Sequence, residues 1–395
     1  MYHKKTRFED VHPVRWKQTK PYAKDVISAR KHADPRGGVT QSEFQQMFQS
    51  IMMRYNPAIM RLPRDDRPET PMDFLTPELS LSTYASSFWN GNRNVVAMDP
   101  ALLDLLRETD AGDVPMDMVR WTHPLLYIAL PEGNGISLPG DPNEVDGAYV
   151  DMRISGIMQI AITTRRTDVQ PRRTTWPMTP EPVYFYGAEM EADETVAGFT
   201  QRCVEARVAE LLAHAESGNL RKAAEEINAH PEHGNAAGRH VVSVGERNNA
   251  IRADRHEEGA EAGAKALGLI VNLMCYLSTE PELDVDYSPR PPAKLAQKAS
   301  TGSQRDRRNA RAEMHRIGVL PIVVAGRKEA VEAKERSEGE AGEGTASHWR
   351  RGHYHLYWTG PGRTVPRLNW VRPVIVRADK GRPEGSHHHP VQSRS

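Results

Sequence analysis

The chain has 395 residues, 38% of them apolar and 26% charged, with 52 Lys and Arg against 52 Asp and Glu. That balance leaves no net field to draw the whole molecule to nucleic acid or membrane, so any such attraction must be local. Two cysteines without a C-x-x-C spacing, Cys203 and Cys275, exclude a disulfide framework or a cysteine zinc site.

From the amino terminus, residues 1–38 are polar, basic and punctuated by proline, and read as a basic, poorly ordered arm. Phe44, Phe48 and Ile51 predict a helix over Gln41–Tyr55, and Leu79–Trp89 reads as a second after a proline-rich crossing. Asp99-Pro100 supplies the N-cap and first-turn proline of a short helix. Strands follow at 125–130 (LLYIAL), 149–155 (YVDMRIS) and 157–164 (IMQIAITT), the last two meeting at Gly156 as a hairpin, and at 183–187 (VYFYG). Val196, Phe199, Cys203, Val208, Leu211 and Leu212 mark a long amphipathic helix. Residues 229–263 read as a long loop. A helix from about Glu257 to Ser278 is apolar nearly all round towards its end and belongs in the core. Its apolar run, Ala264 to Leu277, is too short to span a bilayer, so no membrane partner is expected, and the two cysteines fit a reducing cytoplasm.

The α/β core is thus expected to span 39–287. Residues 288–312 read as a disordered basic, proline-rich linker, since 288–311 holds seven basic residues against one acid. Residues 328–346 read as an acidic disordered linker. Between them, 313–327 holds a strand (IGVLPIVVAG), with Pro321 arguing for an edge or a bulge. A basic, aromatic β-hairpin at 347–383, turning near Gly360 to Arg363, precedes a polar tail at 384–395. The fold class is α+β, with helices packed on a mostly antiparallel sheet.

Nucleotide binding has no support, because neither a Walker P-loop nor a G-x-G-x-x-G follows a strand. Glu280, Glu282, Asp284 and Asp286 read as a solvated turn rather than a magnesium site, and His387 to His389 as part of the tail. No cofactor or metal is expected. The informative stretch is HWRRGHYHLYWTGPGR, 348–363. Strand alternation puts His353 and His355 on one face, with Tyr354 and Leu356 on the other, towards the core. Trp349, Trp358 and Trp370 are structural by default, as aromatics in a small β-core. From Arg350 to Arg382 there are eight basic residues and one acid. Such a surface suits phosphate contact with base stacking, or recognition of an acidic or extended peptide at a β-edge, or simple solubility. The two histidines also admit general acid–base chemistry on RNA, a ribonuclease reading.

HWRRGHYHLYWTGPGRTVPRLNWVRPVIV resembles the C-terminal signature of the type V-A anti-CRISPR family that blocks production of the type V-A effector nuclease. The residues carrying the resemblance are Arg350, Arg351, Gly352, His353, Tyr354, His355, Tyr357, Trp358, Gly360, Gly362, Trp370 and Pro373. Upstream, YASSFWNGNRNVVAMD, YIALPEG, YVDMRISGIMQIAI and LGLIVNLMCYLSTEPELDVDY are similar to its aromatic helix, central strands and buried helix, in the same order. The arm and the segment 217–263 have no counterpart. The resemblance implies a binding protein of a phage or mobile element rather than an enzyme. Its partner would be the nascent N-terminal peptide of a target such as a CRISPR effector nuclease, with ribosome or mRNA contact, and its effect the loss of the target's mRNA. It places peptide or RNA binding on Arg350, Arg351, His353, His355, Tyr357, Trp358, Arg363 and Trp370. The alternatives are a ribonuclease or RNA-binding regulator using the same hairpin, and an interaction module of a mobile element with another target.

Overall fold

The computed structural model describes residues 11–33, 41–55, 71–91, 93–120, 123–138, 143–165, 183–191, 193–216, 262–331 and 348–376. Its strands begin with β1 (Asn94–Met98), the two-residue β2 (Thr109–Asp110), β3 (Leu125–Ala129) and β4 (Val145–Asp151). They continue with β5 (Ile157–Thr164), β6 (Val183–Glu189), β7 (Asp284–Ser288) and β8 (Leu320–Ala325). All but β2 join one seven-stranded sheet in the order β6-β5-β4-β3-β1-β8-β7. β1 runs parallel to β3 and to β8, and the other pairings are antiparallel.

Both faces of this sheet are covered, which explains why LLYIAL is a continuous apolar run rather than an alternating one. One set of side chains, including Val95, Ala97, Tyr127, Tyr149 and Ile322, packs with α1 (His12–Thr19), α2 (Ala23–Ala33), α3 (Gln41–Tyr55) and α4 (Pro71–Asn90). The alternate set, including Val96, Met98, Ile128, Val150 and Ile160, packs with α5 (Pro100–Arg107), α6 (Val196–Glu216) and α7 (262–278). Helix α5 starts as its sequence demands: Asp99 accepts a hydrogen bond from the Ala101 amide, and Pro100 occupies the first turn.

The N-terminal region corrects the expectation of a poorly ordered arm. Residues 11–33 form α1 and α2, with Trp16 and Tyr22 fully buried and Trp89 Nε1 donating to the Pro13 carbonyl at 2.9 Å. α1 buries the single aromatic Trp16, and α2 buries only Ala23 and Val26 behind Tyr22, so periodicity alone does not reveal them. A buried polar network ties α1 to the sheet. A β-bulge between Val145 and Gly147 turns Asp146 towards α1, where Arg15 Nη2 lies 2.8 Å from Asp146 Oδ2. Tyr127 OH and Thr163 Oγ1 donate to the same carboxylate. Gly147 is required beside it, because a Cβ there would come within 2.1 Å of the Ile128 carbonyl.

The expected basic linker is also folded. Residues 288–312 contain α8 (Ala293–Thr301) and the start of α9 (Gln304–Arg316), joined by a tight turn in which Ser303 caps α9. Their shared core is Ala299, Ala310, Met314 and Val319, with Tyr287 and Leu295 against it. Alanines bury little area, and the many exposed charges mask the pattern. β8 is an interior strand rather than an edge, and Pro321 fits because it precedes the β1 register, which begins at Ile322. The acids read as a solvated turn divide: Asp284 and Asp286 lie in the edge strand β7 and pair with Arg327. Helical residues 327–331 open what was expected as the acidic linker, and Tyr276 OH donates to Glu329 there at 3.1 Å. The rest of that linker, the loop at 229–261 and the tail lie outside the described residues.

Candidate recognition surface

The C-terminal hairpin is a ribbon of two successive paired segments. β9 (His348–Arg350) pairs antiparallel with β12 (Val374–Val376), and β10 (Gly352–Thr359) pairs antiparallel with β11 (Val365–Val371). β10 opens on buried Gly352, where a Cβ would lie 2.6 Å from both Pro373 Cδ and Thr109 Oγ1. Only glycine lets the ribbon cross so close to β2, with which β10 pairs in parallel through Gly352 and His353. At the far end, Gly360 (φ 79) and Gly362 (φ 72) supply the left-handed turn, in the place expected from sequence.

Residues directly opposite across β10 and β11 share a face. The inner face carries the pairs Tyr354–Trp370 and Leu356–Leu368. Tyr354 OH donates to Asn272 of α7, at 2.7 Å to Oδ1 and 3.1 Å to the carbonyl. Asn272 in turn donates to the Leu106 and Thr109 carbonyls. Trp370 Nε1 donates to Thr109 Oγ1 at 3.2 Å, and its ring meets Tyr276 edge-on at 5.0 Å. Trp370, grouped with the recognition residues on sequence, therefore faces the core and fixes the ribbon in place. The sequence signal for this anchor is Asn272 itself, a polar residue inside the otherwise apolar LGLIVNLMCYL.

The outer face carries His353 opposite Val371, His355 opposite Asn369, and Tyr357 opposite Arg367. His353, His355 and Tyr357 are exposed, as are Arg350, Arg351 and Arg363. Among the described residues no ion-pair partner faces these three arginines. Arg367 differs: its Nη1 is 2.8 Å from Glu280 Oε1. Trp358 corrects its structural reading, being 54% exposed. It lies on the inner face by alternation, but the ribbon has by then run past the core that buries Tyr354. The Trp349 side chain lies outside the described residues. β10 pairs with β2 only at Gly352 and His353, so beyond them its edge is open among the described residues.

Among the described residues the histidine pair makes no hydrogen bond to an acid–base partner. The cross-strand neighbours of His353 are Val371 on β11 and Asp110 on β2, and that of His355 is Asn369. Asp110 Oδ1 accepts from the Gly112 amide, and among the described residues neither histidine hydrogen-bonds to a carboxylate. Among the described residues, no group of three or more His, Cys, Asp or Glu is placed to hold a metal ion. The two thiols are buried, and burial pushes Cys203 up to about 12, so it is no nucleophile at neutral pH.

Residues 96–378 match the model of the AcrVA2-like family, described as the anti-CRISPR type V subtype A2 family. The chain belongs to this family. The matched span runs from β1 through the whole ribbon and so includes every residue of the outer face. No curated protein matches the sequence significantly. A solved structure described as the crystal structure of AcrVA2 is similar at 14% identity and a TM-score of 0.40, covering 92% of this chain and 96% of that one. Among the described residues of this AcrVA2-like chain, no helix is long and apolar enough to cross a membrane.

Proposed function

We propose that this anti-CRISPR family member uses the outer face of its C-terminal ribbon to recognise the N-terminal peptide of a target protein during its synthesis. Recognition leads to loss of the target's mRNA. The observation that carries this reading is the division of labour within the ribbon. Tyr354, Leu368 and Trp370 are spent on holding it to α7 and β2. Arg350, Arg351, His353, His355, Tyr357, Arg363 and Trp358 are left facing solvent. An open strand edge flanked by unpaired arginines and aromatics suits an extended peptide, which would add backbone hydrogen bonds to the edge and place side chains against the rings. The target fitting the family is a type V CRISPR effector nuclease, met in the cytoplasm of the bacterial host. Chemistry by the histidines has less support, because Asp110, the carboxylate paired beside His353, accepts from the Gly112 amide and not from either histidine.

The test is charge reversal. The Arg350→Glu/Arg351→Glu variant should lose silencing of a target-leader reporter. Its melting temperature should stay within about 2 °C, since exposed charges contribute little to stability. A variant that silences as well as the parent would refute the assignment. The His353→Gln/His355→Gln variant should keep at least half of the silencing. Its complete inactivity, with peptide capture intact, would favour the ribonuclease reading instead.

A further inference from the structure

Away from the ribbon, the neutral charge of the whole chain conceals a strongly basic face. Residues 288–316 hold eight Lys and Arg against two acids. Both acids are engaged locally: Ser303 Oγ donates to Asp306, and Arg316 forks onto Glu313. Lys294, Lys298, Arg305, Arg307, Arg308 and Arg311 are left exposed, with no ion-pair partner among the described residues. They are not needed for packing, because α8 and α9 meet through Ala299, Ala310 and Met314.

Arg308, Arg311 and His315 recur at helical spacing and form one stripe along α9. The stripe ends on Arg93, whose Nη1 donates to the His315 carbonyl at 2.7 Å and whose Nε donates to the Trp89 carbonyl at 2.9 Å. Beside Arg93 opens a cleft of about 510 Å³, with Phe88 and Asn90 in its wall and Arg30, Lys31 and Arg153 around it. Among the described residues no carboxylate lines it, and Asp151 pairs with Arg153. Lys17 sits 3.8 Å over the Trp89 ring. Burial first, and then the charges of Arg93 and Lys24, depress its pKa. Burial and Arg93 do the same to His315. Arg93 thus crowds both Lys17 and His315, and an arriving anion would relieve that repulsion.

We propose that α9, Arg93 and the adjoining cleft form a second binding surface, which takes the phosphate backbone of RNA. From Arg308 to His315 the stripe is about 10 Å long, over which one strand of a nucleic-acid helix presents about three phosphates. A membrane fits poorly, because the large apolar side chain within α9, Met314, is buried and the stripe itself carries no apolar residue to enter a bilayer. The choice of RNA over another polyanion rests on the reading above, in which the protein works beside a translated message. Arg93 and Trp89 belong to the α1–α4 side of the sheet and the ribbon to the other, so peptide and RNA would not compete for one surface.

The test uses the full-length protein and a fluorescein-labelled uridine oligonucleotide of about 20 nucleotides, followed by anisotropy over a salt series. The parent should bind with log K falling linearly in log salt. The Arg305→Ala/Arg308→Ala/Arg311→Ala variant should bind at least tenfold more weakly at low salt, and its slope should fall by about 2, near 0.7 for each lost contact. The Arg350→Glu/Arg351→Glu variant should bind within about threefold of the parent. An unchanged slope in the triple variant would overturn the assignment. So would equal binding of labelled polyglutamate, which would point to an acidic protein. No translation enters this assay, so it fails or succeeds separately from peptide recognition: RNA binding through α9 by a protein indifferent to the target peptide would remove that reading and leave this one standing.

Discussion

At Asp146 a carboxylate that is 3% exposed meets the guanidinium of Arg15, 131 positions earlier in the chain. Burial alone would raise its pKa, but Arg15, His12 and the Thr163 hydroxyl outweigh that and hold it below the ordinary carboxylate value. A depressed folded pKa stabilises the fold above the unfolded value, near 3.9, and that contribution is lost as pH falls through the folded value. Breaking one side of a buried pair leaves an uncompensated charge, at a cost of about 3–5 kcal/mol. Asp146→Asn is therefore expected to destabilise the protein by about 3 kcal/mol in urea denaturation, and Arg15→Met with Asp146→Leu together by less than the sum of the single changes. A single-site effect below about 0.5 kcal/mol would mean that α1 is not docked through this pair. Neither residue stands out in sequence. Asp146-Gly147 inside an apolar run hints at a bulge, but nothing local says that Arg15 answers it.

At the scale of elements, what was legible and what was not separate along physical lines. Helix Gln41–Tyr55, the Asp99-Pro100 start and strand Ile157–Thr164 follow from local pattern, and the structure has them where the pattern puts them. The strand before Gly156 instead runs Val145–Asp151, four residues earlier than the expected 149–155. α1, α2, α8 and α9 were missed, because each buries only a few aromatics or alanines and owes its order to the surface it packs on. The hairpin was legible as an element, and alternation correctly turned Tyr354 and Leu356 inward. How far the core reaches along the ribbon was not legible, and that decides the fates of its tryptophans. Trp370→Ala should cost about 3 kcal/mol, the low end for a buried aromatic, because it removes a partly buried ring seated between Tyr276 and Thr109. Trp358→Ala should change stability by less than about 0.5 kcal/mol yet weaken target recognition. Equal destabilisation by the two substitutions, read from urea curves, would show that the core extends to the ribbon tip.

Across the whole molecule, a doubly covered sheet holds two unlike surfaces apart. The ribbon lies over α7 on one side, exposing arginines, histidines and aromatics beside an open strand edge. The α9 stripe and its cleft lie towards the other side, cationic, with the two acids of α9 engaged by Ser303 and Arg316. Net charge hides both, since acidic residues elsewhere cancel them. The central claim is that the ribbon reads a peptide and not the message encoding it. Strand addition senses side chains and backbone, so it is blind to codon choice. The direct measurement is reporter protein and mRNA level, in cells expressing this chain, for a reporter led by the target's first few tens of codons. Synonymous recoding of those codons should leave silencing intact. A compensated frameshift, which keeps most nucleotides and changes the peptide, should restore both protein and mRNA. Silencing that survives the frameshift and fails on recoding would contradict the account.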